Sequence, residues 1–158
     1  MTARPNRAIR WLFRLPVCLY HWRLGWLLGH RFLLLIHTGR RSGRRHETVL
    51  EVMEYRAASR EAVVMNAFGR NSDWRRNIEA RPGAEIIIGR EQFLATHRDV
   101  EPEEAAAVVA GYERRNRLMA PIVRLGLRWL AGWPYRGTDA DRQRLVAQLP
   151  LIAFRPAA

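Results

Sequence analysis

The sequence predicts a mainly β fold, a small barrel or curled sheet of about six strands with helices at the start, middle and end of the chain. Short apolar or alternating segments recur between turn residues, which is typical of strands. A length of 158 residues with 48% hydrophobic residues is enough for one domain with one core, and it argues against wholesale disorder.

Six segments are predicted to be strands. The apolar run 31–38 ends at the glycine-bracketed turn 39–43, and apolar and polar residues alternate again in 45–55. These two strands therefore form a hairpin with Arg40 and Arg41 at its tip. The remaining predicted strands are 61–67, 84–88, 91–100 and 150–154.

Helices are predicted between and after these strands. Segment 72–80 has helical spacing, a Ser-Asp pair at its start to cap it, and Arg-Pro-Gly after its end. Segment 102–117 opens with Pro-Glu-Glu, which suits a helix N-terminus. An apolar and basic segment follows at 118–133, and 139–149 is predicted to be a short helix.

The chain is strongly basic. All 27 basic residues are arginine, against 15 acidic residues, so the formal net charge is +12. Ten arginines precede Glu47, which is the first acidic residue. A coding preference for arginine explains the missing lysines but not the lack of acids in the N-terminal third. Such a field attracts phosphates, carboxylates, anionic lipid or nucleic acid.

Residues 1–30 are predicted to form an amphipathic, basic helical segment, and residues 31–158 a single domain. Tryptophan and leucine are frequent in 9–28, but Arg10, Arg14 and Arg23 interrupt that stretch, which opposes a membrane-spanning helix. The segment therefore either packs on the core or lies flat at a membrane surface.

Cysteine and histidine usage excludes other classes of site. Cys18 is the only cysteine, so neither an intrachain disulfide nor a cysteine-based zinc site can form. The five histidines show no metal-ligand spacing, so no metal is predicted. The predicted location is the cytoplasm, with the N-terminal segment as a peripheral contact on the inner membrane face.

The hairpin tip is the most specific candidate binding site in the sequence. Gly39 and Gly43 let the backbone turn so that amide N–H groups converge, and such nests bind anions. The arginines between them offer planar donors that match phosphate or carboxylate, and Ser42 adds a hydroxyl. The alternative is a solvated hairpin whose arginines only keep the sheet edge soluble.

A second candidate lies where a strand leads through a loop into a helix, at 66–74. Free amides at a helix N-terminus suit anions or ring carbonyls, and Trp74 and Asn77 share one helix face. The alternative is that Trp74 belongs to the core. Nucleophile motifs and nucleotide-binding glycine loops are absent from the sequence, so the difficult chemistry of an enzyme here would belong to a bound cofactor. Tyr112 and His97 could donate protons, although each also has a structural explanation.

Three segments together resemble the deazaflavin (coenzyme F420)-dependent nitroreductase family. They are LLLIHTGRRSG at 33–43, DWRRNIEARP at 73–82 and RLVAQLPLI at 144–152, and the resemblance covers about residues 5 to 155. It implies a six-stranded split β-barrel of the FMN-binding type with flanking helices. It also implies an oxidoreductase that transfers a hydride from reduced F420 to quinones or nitroaromatics.

The resemblance further implies which residues bind the cofactor. Those holding its phosphate and acidic tail would be Arg40, Arg41 and Ser42. Those lining it along the second strand would be His46, Glu47, Thr48 and Val49. Those bordering the deazaflavin ring would be Asn66, Ala67 and Phe68. Those closing the site would be Asp73, Trp74 and Asn77. Tyr112 is the candidate catalytic residue.

The sequence departs from the better-known nitroreductases at two places. Ala67 and Phe68 stand where those enzymes often carry a Ser-Lys pair, and 114–117 (RRNR) replaces a tyrosine-rich segment that engages nitro substrates. A quinone or another lipophilic acceptor is therefore favoured over a nitroaromatic one. Two alternatives stay open: a non-catalytic basic module that binds anionic membrane or nucleic acid, and the same barrel using FMN. Nucleic acid is not expected as a partner of the enzyme.

Overall fold

The computed structural model describes residues 25–158, and these form a closed, antiparallel barrel of six strands with flanking helices. The predicted helical segment 1–30 lies largely outside the described residues. Of that segment, Gly25–Leu28 form one turn of 3-10 helix directly before the first strand. Within 25–158, no helix has both the length and the apolar character to cross a bilayer.

The strands follow one another around the barrel in the order β1-β2-β3-β6-β5-β4, and β4 closes the ring against β1. All six pairings are antiparallel. The strand bounds are β1 Phe32–Thr38, β2 Arg45–Arg56, β3 Glu61–Met65, β4 Glu85–Ile88, β5 Glu91–Asp99 and β6 Leu151–Pro156. Each predicted strand is present, with ends that differ by one or two residues.

Four α-helices surround the barrel in the described part of the chain. They are α1 Asp73–Ala80, α2 Pro102–Arg115, α3 Ala120–Ala131 and α4 Asp139–Gln148. Short 3-10 turns precede α1 and α3, at Gly69–Asn71 and Arg117–Met119. The predicted helix 102–117 ends two residues early because the Asn116 side chain donates to the Tyr112 carbonyl oxygen at 2.8 Å, which satisfies a helix-end acceptor.

Two apolar clusters lie on opposite faces of the barrel wall. Alternate residues of a strand point to opposite faces, so in β6 Ile152 and Phe154 join one cluster while Leu151 and Ala153 join the other. The first cluster combines residues of β1, β3, β4 and β6 with α1. The second is covered by α2, α3 and α4. Burial on both faces explains why 62–65 of β3 and 151–154 of β6 are continuously apolar.

The β1–β2 hairpin projects the predicted anion-binding turn toward α1. Its register is continuous from Phe32↔Glu51 to Thr38↔Arg45, so the residues between the strands form the tip. There the Gly39 N–H donates to the Arg44 carbonyl oxygen at 2.8 Å, and the Gly43 N–H donates to the Gly39 carbonyl oxygen at 2.9 Å. Gly43 has φ of 64°, a conformation that favours glycine.

Candidate functional site

A cleft of about 680 Å³ opens between the hairpin tip, the loop after β3 and the start of α1. Most of the residues proposed from the sequence for the cofactor line it, namely Arg40, Arg41, Ser42, His46, Glu47, Thr48, Phe68, Asp73, Trp74 and Asn77. Segments that are distant in the sequence thus meet at one concave surface, of the size at which proteins bind small molecules.

Arg40 fastens the hairpin to α1. Its backbone N–H and its Nη1 each donate to the Asn77 Oδ1 at 3.0 Å, and Nη1 and Nη2 both lie 3.1 Å from the Asp73 Oδ1. The guanidinium is thus held by two residues of α1. Arg40 therefore holds the hairpin tip against α1 while it lines the cleft, and its expected contact with the cofactor stays a prediction.

The same amide fixes the tautomer of His37. Because the Asn77 oxygen faces the donors of Arg40, the Asn77 Nδ2 faces the His37 Nδ1 at 3.2 Å and donates to it. The proton of the neutral ring must then be on Nε2, which lies 3.3 Å from the Thr48 Oγ1. The Thr48 oxygen accepts this bond, and Thr48 itself lines the cleft.

The electrostatics of His37 favour the neutral ring that this network requires. His37 is buried, and burial together with the positive field of His46 lowers its pKa below the usual 6.5. The two rings stack with centroids 5.6 Å apart. His37 is consequently neutral at pH 7 and acts as a hydrogen-bonding bridge between α1 and β2.

The solvent side of the hairpin tip carries cationic and hydroxyl groups. Ser42 Oγ accepts from the Arg44 backbone N–H at 3.3 Å and lies 3.4 Å from the His46 Nε2. Arg41 is exposed, and among residues 25–158 its side chain has no hydrogen bond or ion pair. The guanidinium of Arg41 is thus open to an anion in the cleft, whereas that of Arg40 contacts Asp73.

Two aromatic residues form the apolar walls of the cleft. Trp74 is buried and packs against Phe154 of the barrel, with ring centroids 6.3 Å apart. Phe68 is 66% exposed at the opening. Ser72, beside Trp74, has a buried Oγ without a partner in the described part of the chain, and a buried polar atom of this kind calls for a ligand or a water.

Three of the predicted cofactor-binding residues lie outside the cleft lining. Val49 packs with Leu34 and Ile36 on the other face of the sheet, because it alternates with Thr48 along β2. Asn66 is fully buried, and both polar atoms of its side chain lack partners within 25–158. The half-buried Ala67 follows it. Cofactor contacts by these residues stay predictions.

Tyr112, the candidate catalytic residue, lies in α2 rather than at the cleft. Its hydroxyl donates to the Glu51 carboxylate, and its ring packs against the cluster beneath α2, α3 and α4. Burial and the bond to Glu51 raise its pKa well above 10. This tyrosine keeps its proton at physiological pH and ties α2 to β2.

Of the residues that line the cleft, Gly39, Asn71 and Ser72 lie in the two candidate segments predicted from the sequence, whereas His37 lies in neither. A signal for His37 was present, because it continues the alternation of Leu33 and Leu35, which point to the apolar cluster shared with α1. A polar residue in an inward-facing row at a strand end is a candidate site residue.

Solved structures share the fold at low sequence identity. A protein of unknown function from Agrobacterium tumefaciens superposes with a TM-score of 0.53 at 14% identity, over 99% of this chain and 58% of that one. An F420-H2 dependent reductase, FDR-A, gives 0.44 at 18% identity, over 80% and 96%. A pyridoxamine 5'-phosphate oxidase-related, FMN binding protein from Nostoc punctiforme gives 0.43 at 18%, over 98% and 82%.

Comparison with family models identifies the chain more specifically. No curated protein matches it. The six-stranded barrel with its flanking helices is the split β-barrel of the FMN-binding type that the sequence predicted. Residues 23–121 match the model of the F420H(2)-dependent quinone reductase family, a stretch of well over half the chain. The protein therefore belongs to the F420H(2)-dependent quinone reductase family, and it is an oxidoreductase that uses F420.

Proposed function

We propose that the cleft between the hairpin tip and α1 binds reduced F420, and that a quinone takes up the hydride. The observation that carries this proposal is that Arg41, Ser42 and Trp74 line a single cleft. The guanidinium and hydroxyl groups suit a phosphate and an acidic tail, and the aromatic side chain suits a flat ring.

The residues present fit such a cofactor. The cleft offers an available guanidinium on Arg41, and two further exposed arginines, Arg44 and Arg45, flank it on the hairpin. Its two carboxylates add little opposing charge, because Asp73 is paired with Arg40 and Glu47 lies 3.6 Å from Arg45. The unpartnered Ser72 Oγ supplies a polar atom beside the aromatic wall.

We assign the cofactor contacts as follows. Arg41 and Ser42 hold the phosphate and acidic tail, while Arg40 keeps the tip against α1. His46, Glu47, Thr48 and Val49 follow the cofactor along β2, with Thr48 presenting its hydroxyl and Val49 contributing through its backbone. The residues that would border the deazaflavin ring belong to the loop after β3 and to α1, namely Asn66, Ala67, Phe68, Asp73, Trp74 and Asn77.

When bound, reduced F420 supplies a hydride. A quinone that accepts it must also gain one proton to become a hydroquinone. The His37–Thr48 pair orients a hydrogen-bond donor but holds no spare proton, because both ring nitrogens of His37 are already engaged. The exposed imidazole of His46 lines the cleft, and we assign it as the proton donor in place of the distant Tyr112.

The acceptor is proposed to be a quinone or a similar lipophilic molecule rather than a nitroaromatic one. The exposed Phe68 at the cleft opening offers an apolar contact for such an acceptor. The departures at Ala67 and Phe68 and at 114–117 from the nitroreductase pattern support the same choice.

We further propose that residues 31–158 act as one cofactor-binding domain, and that residues 1–30 form a basic helical segment in peripheral contact with the membrane. The basic and aromatic composition of 1–30 supports the second statement. Vesicle co-sedimentation with and without residues 1–28 tests it.

A titration tests the proposed function. Full-length protein is mixed with reduced F420, reduced FMN or NADPH, and binding and quinone-dependent oxidation are followed. We expect F420 to bind and be oxidised. Arg41→Ala should weaken F420 binding by about tenfold or more, whereas Arg155→Ala, which removes an exposed arginine of β6, should not. Equal affinities in the two variants would contradict the assignment.

A further inference from the structure

An exposed apolar stripe runs along α3 and the turn before it. Leu118, Ile122, Leu125 and Trp129 follow one another at helical spacing and are between 56% and 95% exposed. Four large apolar side chains in one row form a contiguous patch, which on a protein surface marks an interaction site.

This stripe is not a loosely packed part of the core, because α3 already has a buried face. Leu127 and Ala131 are buried in the cluster under α2, α3 and α4, and Val123 and Leu130 pack against it. The helix is therefore docked on the barrel by one face, while the stripe points away from it.

The chain segment that carries the stripe has basic but no acidic residues. Between Glu113 and Asp139 the chain contains six arginines and no acidic residue. Arg117, Arg124 and Arg128 are exposed and form a row beside the stripe. Apolar residues, a tryptophan and arginines on one exposed helix face match the composition of helices that lie in the headgroup region of anionic membranes.

The C-terminal end of α3 is also connected to the cleft. Gln148 donates from Nε2 to the Ala131 carbonyl oxygen at 2.8 Å, and its Oε1 accepts from the Trp133 Nε1 at 2.9 Å. On the other side of Gln148, a Cβ added to Gly69 would lie 3.9 Å from its carbonyl oxygen. Gly69 follows Phe68, whose exposed ring lines the cleft.

We propose that the α3 stripe docks the protein on an anionic lipid bilayer. Charge complementarity selects this occupant, because a row of exposed arginines with no ion pair to any residue of 25–158, lying beside leucines, favours anionic headgroups over a second copy of this equally basic chain. Because Gln148 joins the C-terminal end of α3 to the loop that carries Phe68, we expect docking to bring the cleft opening near the lipid. The entry of a lipophilic acceptor from the bilayer into this opening rests on the proposed function, whereas the docking itself does not.

The test uses full-length protein and vesicles of phosphatidylcholine alone or mixed with equal phosphatidylglycerol. We expect co-sedimentation with the anionic vesicles only. The double variant Leu118→Glu with Leu125→Glu should weaken it by about tenfold or more. The control is Leu94→Glu, which makes the same change at an exposed leucine of β5 and should have no effect. Arg124→Gln with Arg128→Gln should also weaken binding.

Three outcomes would overturn the proposal. The first is no binding of the unmodified protein to anionic vesicles. The second is equal binding by the Leu118→Glu, Leu125→Glu variant and the Leu94→Glu control, which would assign docking to another segment. The third is that the unmodified protein forms a dimer and binds no vesicles, while the Leu118→Glu, Leu125→Glu variant is monomeric. A second copy of the chain would then be the occupant of the stripe.

Two further readouts separate this proposal from the proposed function. Quenching of Trp129 fluorescence by brominated lipid, compared with Trp129→Phe, reports insertion directly. The Leu118→Glu, Leu125→Glu variant should still reduce a water-soluble quinone with F420 but lose reduction of a quinone dissolved in vesicles. Loss of both reactions in an otherwise folded, F420-binding variant would contradict the separation of docking from catalysis.

Discussion

The Asn77 side-chain oxygen accepts two hydrogen bonds from Arg40, one from the backbone N–H and one from Nη1, each 3.0 Å long. Because this oxygen is occupied by donors, the amide nitrogen must turn to His37, and the neutral His37 must carry its proton on Nε2. One side chain of α1 therefore sets both the position of the hairpin tip and the hydrogen-bonding state of the cleft wall.

Replacing Asn77 by aspartate tests that assignment. In Asn77→Asp both carboxylate oxygens can only accept, so the atom facing the His37 Nδ1 changes from a donor to a negative acceptor. An adjacent negative charge favours the imidazolium, so the pKa of His37 should rise by about one pH unit or more. NMR titration of the imidazole measures it.

The matched control is Asn71→Asp, which makes the same substitution at an exposed residue of the cleft. Its carboxylate lies in solvent beside Arg76, to which Asn71 is hydrogen bonded. The pKa of His37 should stay close to its original value in this variant. A similar rise in both variants would show that general charge, rather than the Asn77 contact, sets the titration of His37.

Stability should fall when the solution is acidified through the range in which histidines titrate. Burial lowers the pKa of His37 and of His97 below 6.5, so the unfolded chain binds protons before the folded one does. The stability from the neutral rings is complete above pH 6.5 and is lost as the pH falls toward their folded pKa values.

Urea denaturation between pH 5 and pH 8 measures this effect. His37→Gln removes the contribution of the neutral His37 ring and leaves that of His97. The free energy of unfolding of the original protein should therefore approach that of the variant as the pH falls below 6.5. A difference that grows on acidification would mean that the folded state prefers the charged ring.

Much of the fold follows from local patterns, because strand alternation and helix spacing are properties of neighbouring residues. The β1–β2 hairpin and its arginine tip could be predicted this way. The pairing of Arg40 with Asn77 could not, because it joins residues 37 positions apart. Treating Thr48 and Val49 as equivalent overlooked the alternation of β2, which sends their side chains to opposite faces.

Glu61 should be a main contributor to stability, and it is not among the cofactor contacts proposed above. Its buried carboxylate accepts from the Arg98 Nη2 at 2.9 Å and from the Arg56 Nη1 at 2.7 Å. Hydrogen bonds from Arg98 and then from Arg56 lower its pKa although burial opposes them. Glu61→Gln places amide hydrogens against guanidinium groups, and we expect a loss of about 1–3 kcal/mol at pH 7.

The pH dependence distinguishes this charge effect from a loss of packing. Because the folded pKa of Glu61 is lowered, its contribution is present above the usual 4.5 and is lost as the pH falls below that value. The cost of Glu61→Gln, measured by denaturation, should therefore decrease in acid. Glu103→Gln, at an exposed residue of α2, should change stability by less than about 0.5 kcal/mol. A cost of Glu61→Gln that does not vary with pH would indicate packing alone.

Gly39 should be needed for cofactor binding more than for folding. An added Cβ would lie 2.5 Å from the Ser42 Oγ and 2.8 Å from the His46 Nε2, both at the ends of exposed side chains that can swing away. Gly39→Ala should therefore cost about 1 kcal/mol or less in stability. It should also break the contact between Ser42 and His46 and weaken F420 binding by about tenfold.

Gly126→Ala is the control for the same substitution, because a Cβ at that position in α3 meets nothing within 4 Å. An alanine inside an exposed helix should raise stability by about 0.5–1 kcal/mol and leave F420 affinity unchanged. Calorimetric titration and denaturation of both variants give the two quantities. If Gly39→Ala lowers stability by several kcal/mol yet binds F420 normally, the tip supports the fold and the anion binds elsewhere.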